Sequence, residues 1–203
     1  MILMPAAHAA PATNNLYPTI GGPRGELEPR CTDDPEGGDG RVTCITDDAT
    51  VYWYMDSGGP DELERPDRIA VRAAINNEFE PTHLDMVYDS TPVFSGEGET
   101  DIYYQESSSH IDAGADAVTW CDDAQDHTRF KCDQQYVRMR PGSITQGLAC
   151  HETGHAIGLV HGRQATPPLD NNDLRLGCLT TPVRTSDLGS TNTQNINNHW
   201  DAP

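Results

Sequence analysis

From Ala149 to Gly162 the chain reads ACHETGHAIGLVHG, which brings His151, Glu152, His155 and His161 together with three glycines. On a helix, residues four apart share a face one turn from each other, so the imidazoles of His151 and His155 emerge side by side. Two imidazoles so placed reach one zinc ion. Glu152 is rotated about 100° around the axis from His151. It is a poor third ligand on that face, but it can reach a water at the metal. Gly158 can end the helix in a left-handed conformation. The chain then turns back, and His161 can approach the same ion. A catalytic zinc takes three protein ligands and keeps a fourth position open. No Glu follows Glu152 in the sequence, so His161 is the leading third ligand, with Asp170, Asp173 and His199 as distant alternatives.

The rest of the composition sets limits on this reading. A length of 203 residues suits one domain with its own core. The chain is lean in apolar residues, at 35%, and carries 18 Gly and 15 Pro, so loops should be abundant. A net charge of -19 argues against nucleic acid as a partner, because phosphate contacts need clustered Lys and Arg. The Asp-rich stretch TDDPEGGDG (Thr32–Gly40) raises calcium, but no twelve-residue EF-hand pattern supports it. Cys31, Cys44, Cys121, Cys132, Cys150 and Cys178 are even in number and form no C-x-x-C pair. Three disulfides in an oxidising compartment are therefore expected. No stretch has the length of a transmembrane helix.

Along the chain, residues 1–45 read as a leader, irregular and rich in Pro, Gly, Asp and Ala, with an A-x-A-like site at Ala7-His8-Ala9. It looks like the tail of a signal or pro-segment, pinned by Cys31 and Cys44. Strands are expected at Ala49–Asp56, His83–Asp89, Asp101–Ser107, Ala117–Asp123 and Cys132–Pro141. Arg65–Glu80 reads as a helix, with Pro66 in its first turn and two stripes, Ile69/Ala73 and Val71/Ile75/Phe79. Ser143 and Gln146 form a capping-box pattern ahead of the histidine helix. A long irregular tail follows, with late apolar positions at Leu188 and Ile196.

HETGHAIGLVH (His151–His161) matches the extended zinc signature of the metzincin metallopeptidases. The order of helix, strands and active-site helix over about residues 48–200 is similar to theirs. The chain looks most like secreted bacterial matrixin-like members, and its GCLTTP resembles the Cys-containing turn of the reprolysins. The resemblance implies an α+β fold: one zincin domain over 46–203 with a mixed twisted sheet, two main helices, the active-site helix below the sheet and an irregular C-terminal subdomain. It implies a secreted, monomeric zinc endopeptidase acting on proteins or peptides. His151, His155 and His161 would be the ligands and Glu152 the general base. Substrate would lie along an edge strand, expected at Ala117, Val118, Thr119 and Trp120. Metzincins carry a methionine in a turn beneath the zinc, yet no Met follows Met139 here. RLGCLTTPV (Arg175–Val183) stands where that turn should be, with Leu179 as the substitute. The expected disulfides are Cys31–Cys44, Cys121–Cys132 and Cys150–Cys178. PRC (Pro29–Cys31) resembles the cysteine switch of matrixin propeptides, but it continues TDDP and would strand Cys44. The rival readings are a non-catalytic zinc-bearing binding domain of the same fold and a zinc amidase acting on a non-protein substrate.

Overall fold

Strand formation follows the β-branched and aromatic runs. The structure is a computed structural model that describes residues 13–16, 45–96, 98–125 and 131–200. Its strands are β1 (Ile45–Thr46), β2 (Thr50–Met55), β3 (Asp85–Tyr88), β4 (Ile102–Glu106), β5 (Ala117–Ala124) and β6 (Lys131–Met139). The helices are α1 (Arg65–Ala74), α2 (Gln146–Ala156) and α3 (Ser190–His199). The strands form one mixed sheet. β3, β2, β4 and β6 lie side by side and parallel, and β1 pairs parallel with the start of β6. β5 alone runs antiparallel, on β6. Among the described strands β5 pairs with no other, so it is an edge.

Parallel neighbours need a crossover, and α1 supplies the one between β2 and β3. All five residues of β4 are buried, as suits a strand inside a parallel sheet. Val71, Ile75 and Phe79 point into the core, the last two from a π-helical turn that extends α1. The other apolar stripe of α1 does not: Ile69 is 59% exposed. The core closes between α1, the sheet and α2. Cys121–Cys132 ties β5 to β6. Among the described residues no helix is long and apolar enough to cross a membrane.

Three expectations need correction. The tail is not simply irregular, because it carries α3, a third helix. This segment, STNTQNINNH, lacks an apolar stripe, and it is seated through Asn192, Asn195 and Ile196. The leader is not wholly separate either. β1 begins at Ile45, and Thr13–Leu16 lies against the domain through antiparallel bridges Asn14–Thr166 and Leu16–Leu159. Finally, the histidine helix starts at Thr145, whose Oγ1 accepts from Leu148 N–H at 3.1 Å, rather than at a Ser143–Gln146 box. The Cys31–Cys44 pairing, the cysteine-switch motif and the Thr32–Gly40 acidic stretch lie outside the described residues.

At the sheet end away from the histidines, Asp47, Asp48, Glu99, Asp101, Asp123 and Asp133 line a cavity of ≈ 530 Å³. Burial, joined by repulsion from Asp47, pushes the Asp101 carboxyl up to about 8, while Tyr52 N–H donates to Asp101 Oδ2 at 2.6 Å. The folded state therefore binds a proton more tightly than the unfolded chain. The stability this contributes is complete below about pH 4 and is lost as pH rises through about 8. Asp101→Asn keeps the acceptor for Tyr52 and needs no proton. It should raise the melting temperature above wild type at pH 8.5 and change it little at pH 4. Equal melting of the two proteins at pH 8.5 would refute the buried, proton-bound carboxyl.

Candidate metal centre

Every residue of α2 from Leu148 to Ala156 is buried. A helix buried all round must let its neighbours come close, and small residues recur along it. Gly154 is the clearest case: a Cβ there would stand 2.8 Å from Leu179 Cδ2. Leu179 is fully buried and packs against the helix at Gly154. α2 ends at Ala156, and Gly158 follows with φ 104°, a conformation that L side chains rarely adopt. The reversal there carries the chain back to His161.

The three rings converge through one kind of atom. Nε2 of His155 lies 3.0 Å from Nε2 of His151 and 3.1 Å from that of His161, and the third separation is 3.2 Å. A tetrahedral zinc with Zn–N bonds of about 2.0–2.1 Å spaces its ligand nitrogens about 3.3–3.4 Å apart. The triad is within a few tenths of an ångström of that spacing. Nδ1 of His151 meets the carbonyl of Cys178 at 2.8 Å, and Nδ1 of His155 meets that of Leu159 at 2.8 Å. A carbonyl only accepts, so both rings carry their proton on Nδ1 and leave Nε2 bare. Burial lowers the pKa of His151, against the Cys178 hydrogen bond. It lowers that of His155 further, with help from its two neighbours, and brings His161 to about 4. All three are neutral at pH 7, which is the ligating form. Among the described residues these three form the cluster able to hold a metal ion, and the donor set suits zinc. Asp173 caps its own turn and pairs with Arg175, and His199 packs on Trp200, so neither alternative ligand joins the cluster. Asp170 is not part of it either.

Glu152 is 5% exposed, and its Oε2 accepts from Thr119 Oγ1 at 2.7 Å. Burial raises its carboxyl to about 7, with the Thr119 hydrogen bond working against the rise. Glu152 and the three histidines open onto one cavity of ≈ 580 Å³. Ala117, Val118 and Thr119 of β5 form one wall of it, and Thr180–Val183 form another. Trp120 does not line it. Its ring stacks on Tyr136 at 5.3 Å with the Arg138 guanidinium 4.9 Å away. Thr119 faces Glu152, while the Trp120 ring is turned to Tyr136 and away from the cavity.

Two features escaped the sequence reading. Thr119 was a candidate only as part of an edge strand, not as the partner of Glu152. The carbonyls of Cys178 and Leu159 leave no mark in side-chain spacing. The Cys150–Cys178 disulfide is present, with its partners 28 positions apart in sequence. It joins the residue before His151 to the residue whose carbonyl orients the His151 ring. Comparison with protein-family models and with curated proteins gives no match.

Removing Leu179 from beneath Gly154 would open a cavity under the helix. Leu179→Ala should cost about 2–5 kcal/mol, whereas Leu179→Met, which nearly conserves volume, should cost less than about 1.5 kcal/mol. Calorimetric melting of both variants is the check. A Leu179→Ala protein that melts like wild type would show that the side chain does not support α2.

Proposed function

We propose that this chain is a secreted zinc-dependent endopeptidase of metzincin type. The observation that carries the reading is the convergence of three bare Nε2 atoms beside a buried carboxylate, in a cavity walled by an edge strand. His151, His155 and His161 would hold the ion. When bound, zinc supplies Lewis-acid chemistry, acidifying a water and stabilising negative charge on a carbonyl oxygen. Glu152 acts as general base: it takes a proton from the attacking water and returns it to the leaving amide nitrogen. Thr119 Oγ1–H holds the Glu152 carboxylate in place. The free edge of β5 offers backbone donors and acceptors to an extended peptide, which would add as a further strand across the metal. Ala117, Val118 and Thr119 are the contact residues of that strand, and Trp120 supports it from behind. Two disulfides suit an oxidising exterior.

The reading separates base from ligands. His161→Ala should lose stoichiometric zinc on dialysis. Glu152→Ala should keep zinc and lose peptide hydrolysis by about 10²-fold or more. Zinc content by atomic emission and cleavage of a casein or quenched-peptide substrate measure both. A Glu152→Ala protein that cleaves at the wild-type rate would remove Glu152 from the chemistry. A wild-type protein that binds zinc and cleaves no peptide would instead be the metal-bearing binding domain.

A further inference from the structure

The short segment between α2 and His161 must place the third ligand, so its backbone hydrogen bonds can be traced one by one. Gly158 N–H donates to the His155 carbonyl at 2.9 Å, and Leu159 N–H to that of Gly154 at 2.8 Å. The Leu159 carbonyl accepts from His155 Nδ1. Val160, next to His161, is held differently. Its N–H donates to the Asn15 carbonyl at 2.8 Å, and its own carbonyl accepts from Asn15 Nδ2 at 3.1 Å. Asn15 is fully buried. Its Oδ1 accepts at 2.7 Å from Asn195 Nδ2 on α3, which also donates to the Thr13 carbonyl at 3.0 Å. The flanking bridges Leu16–Leu159 and Asn14–Thr166 extend the same antiparallel pairing. Residues more than 140 positions upstream therefore grip the ligand-bearing loop on both polar groups of one residue.

We propose that Asn15 is a positioning residue of the metal centre, fixing Val160 and thereby the place where His161 Nε2 meets its two partners. The inference rests on the reading of the three histidines as zinc ligands. Without the Asn15 side chain, the Val160 carbonyl loses its Asn15 Nδ2 donor and Asn195 Nδ2 keeps only its bond to the Thr13 carbonyl, which favours undocking of Thr13–Leu16. The loop then moves more freely, and ordering it on metal binding weakens the affinity. The segment Thr13–Leu16 is on this view part of the functional unit, and a chain that loses it loses the hold on His161.

The test compares Asn15→Ala, Asn195→Ala and Met86→Ala in the full chain. Met86 is a buried residue of β3, at the far edge of the sheet from β5. Its removal lowers stability without touching the loop. Zinc affinity is read by competition with a chromophoric chelator, and ligand geometry from the visible absorption of the Co²⁺ form. Asn15→Ala should weaken zinc about tenfold to a hundredfold and alter the Co²⁺ bands. Asn195→Ala should do the same to a smaller degree, and Met86→Ala should change neither. An Asn15→Ala protein with wild-type zinc affinity and Co²⁺ spectrum overturns the proposal. If Asn15→Ala does not fold, wild-type values in Asn195→Ala overturn it. A wild-type chain that binds neither ion overturns this inference and the metal reading together. One that binds zinc without cleaving peptides overturns only the peptidase, and the role of Asn15 is still decided by the affinities.

Discussion

Three imidazole nitrogens with their lone pairs aimed at one point repel one another, and the rings turn away unless something else holds them. Here the hold comes from backbone carbonyls behind the rings. The carbonyl of Cys178 takes the Nδ1 proton of His151, and that of Leu159 takes the Nδ1 proton of His155. Each bond sets a tautomer and an orientation at once. Both carbonyls lie outside regular α-helix, so each has to be fastened in turn. The Cys150–Cys178 bond and the packing of Leu179 on Gly154 fasten the first. The pairing of Leu159 and Val160 with residues 15 and 16 fastens the second.

The burial of α2 follows from the same requirement. A helix that carries two of the three converging imidazoles and a buried carboxyl needs support on every side, so it runs between α1, the strands β5 and β6, and the turn Leu174–Leu179. That leaves no solvent-facing stripe. It also explains why QGLACHETGHA mixes polar and small residues without an amphipathic pattern. Tyr104 of β4 adds a further tie, with its hydroxyl 2.7 Å from Thr153 Oγ1 inside the core.

Much of the sheet and the centre of the site was legible in the sequence. β-branched and aromatic runs marked β2 to β6 closely, and the spacing of His151, His155 and Gly158 dictated a helix, a reversal and a returning ligand. What stayed hidden depends on groups that have no period. α3 is held by Asn192 and Asn195 through hydrogen bonds to the distant carbonyls of Leu176 and Thr13, so its sequence looks like a loop. Asn15 belongs to a stretch that is unremarkable until Val160 is placed beside it. The edge strand was found, but not that the Thr119 hydroxyl meets Glu152 while the Trp120 ring stacks on Tyr136.

The disulfide between Cys150 and Cys178 has a further consequence. His151, Glu152, His155 and His161 all lie inside the covalent ring that it closes. On the proposed reading, a peptidase in solution with its own copies faces self-cleavage, and the segment 162–173 between His161 and Cys178 lies inside that ring. One cut anywhere in that loop opens the backbone but leaves both pieces joined through sulfur. The three histidines lie on one piece, and the Cys178 carbonyl that orients His151 stays covalently joined to them. Separating that carbonyl from the histidines takes two events of different chemistry, a hydrolysis and a reduction.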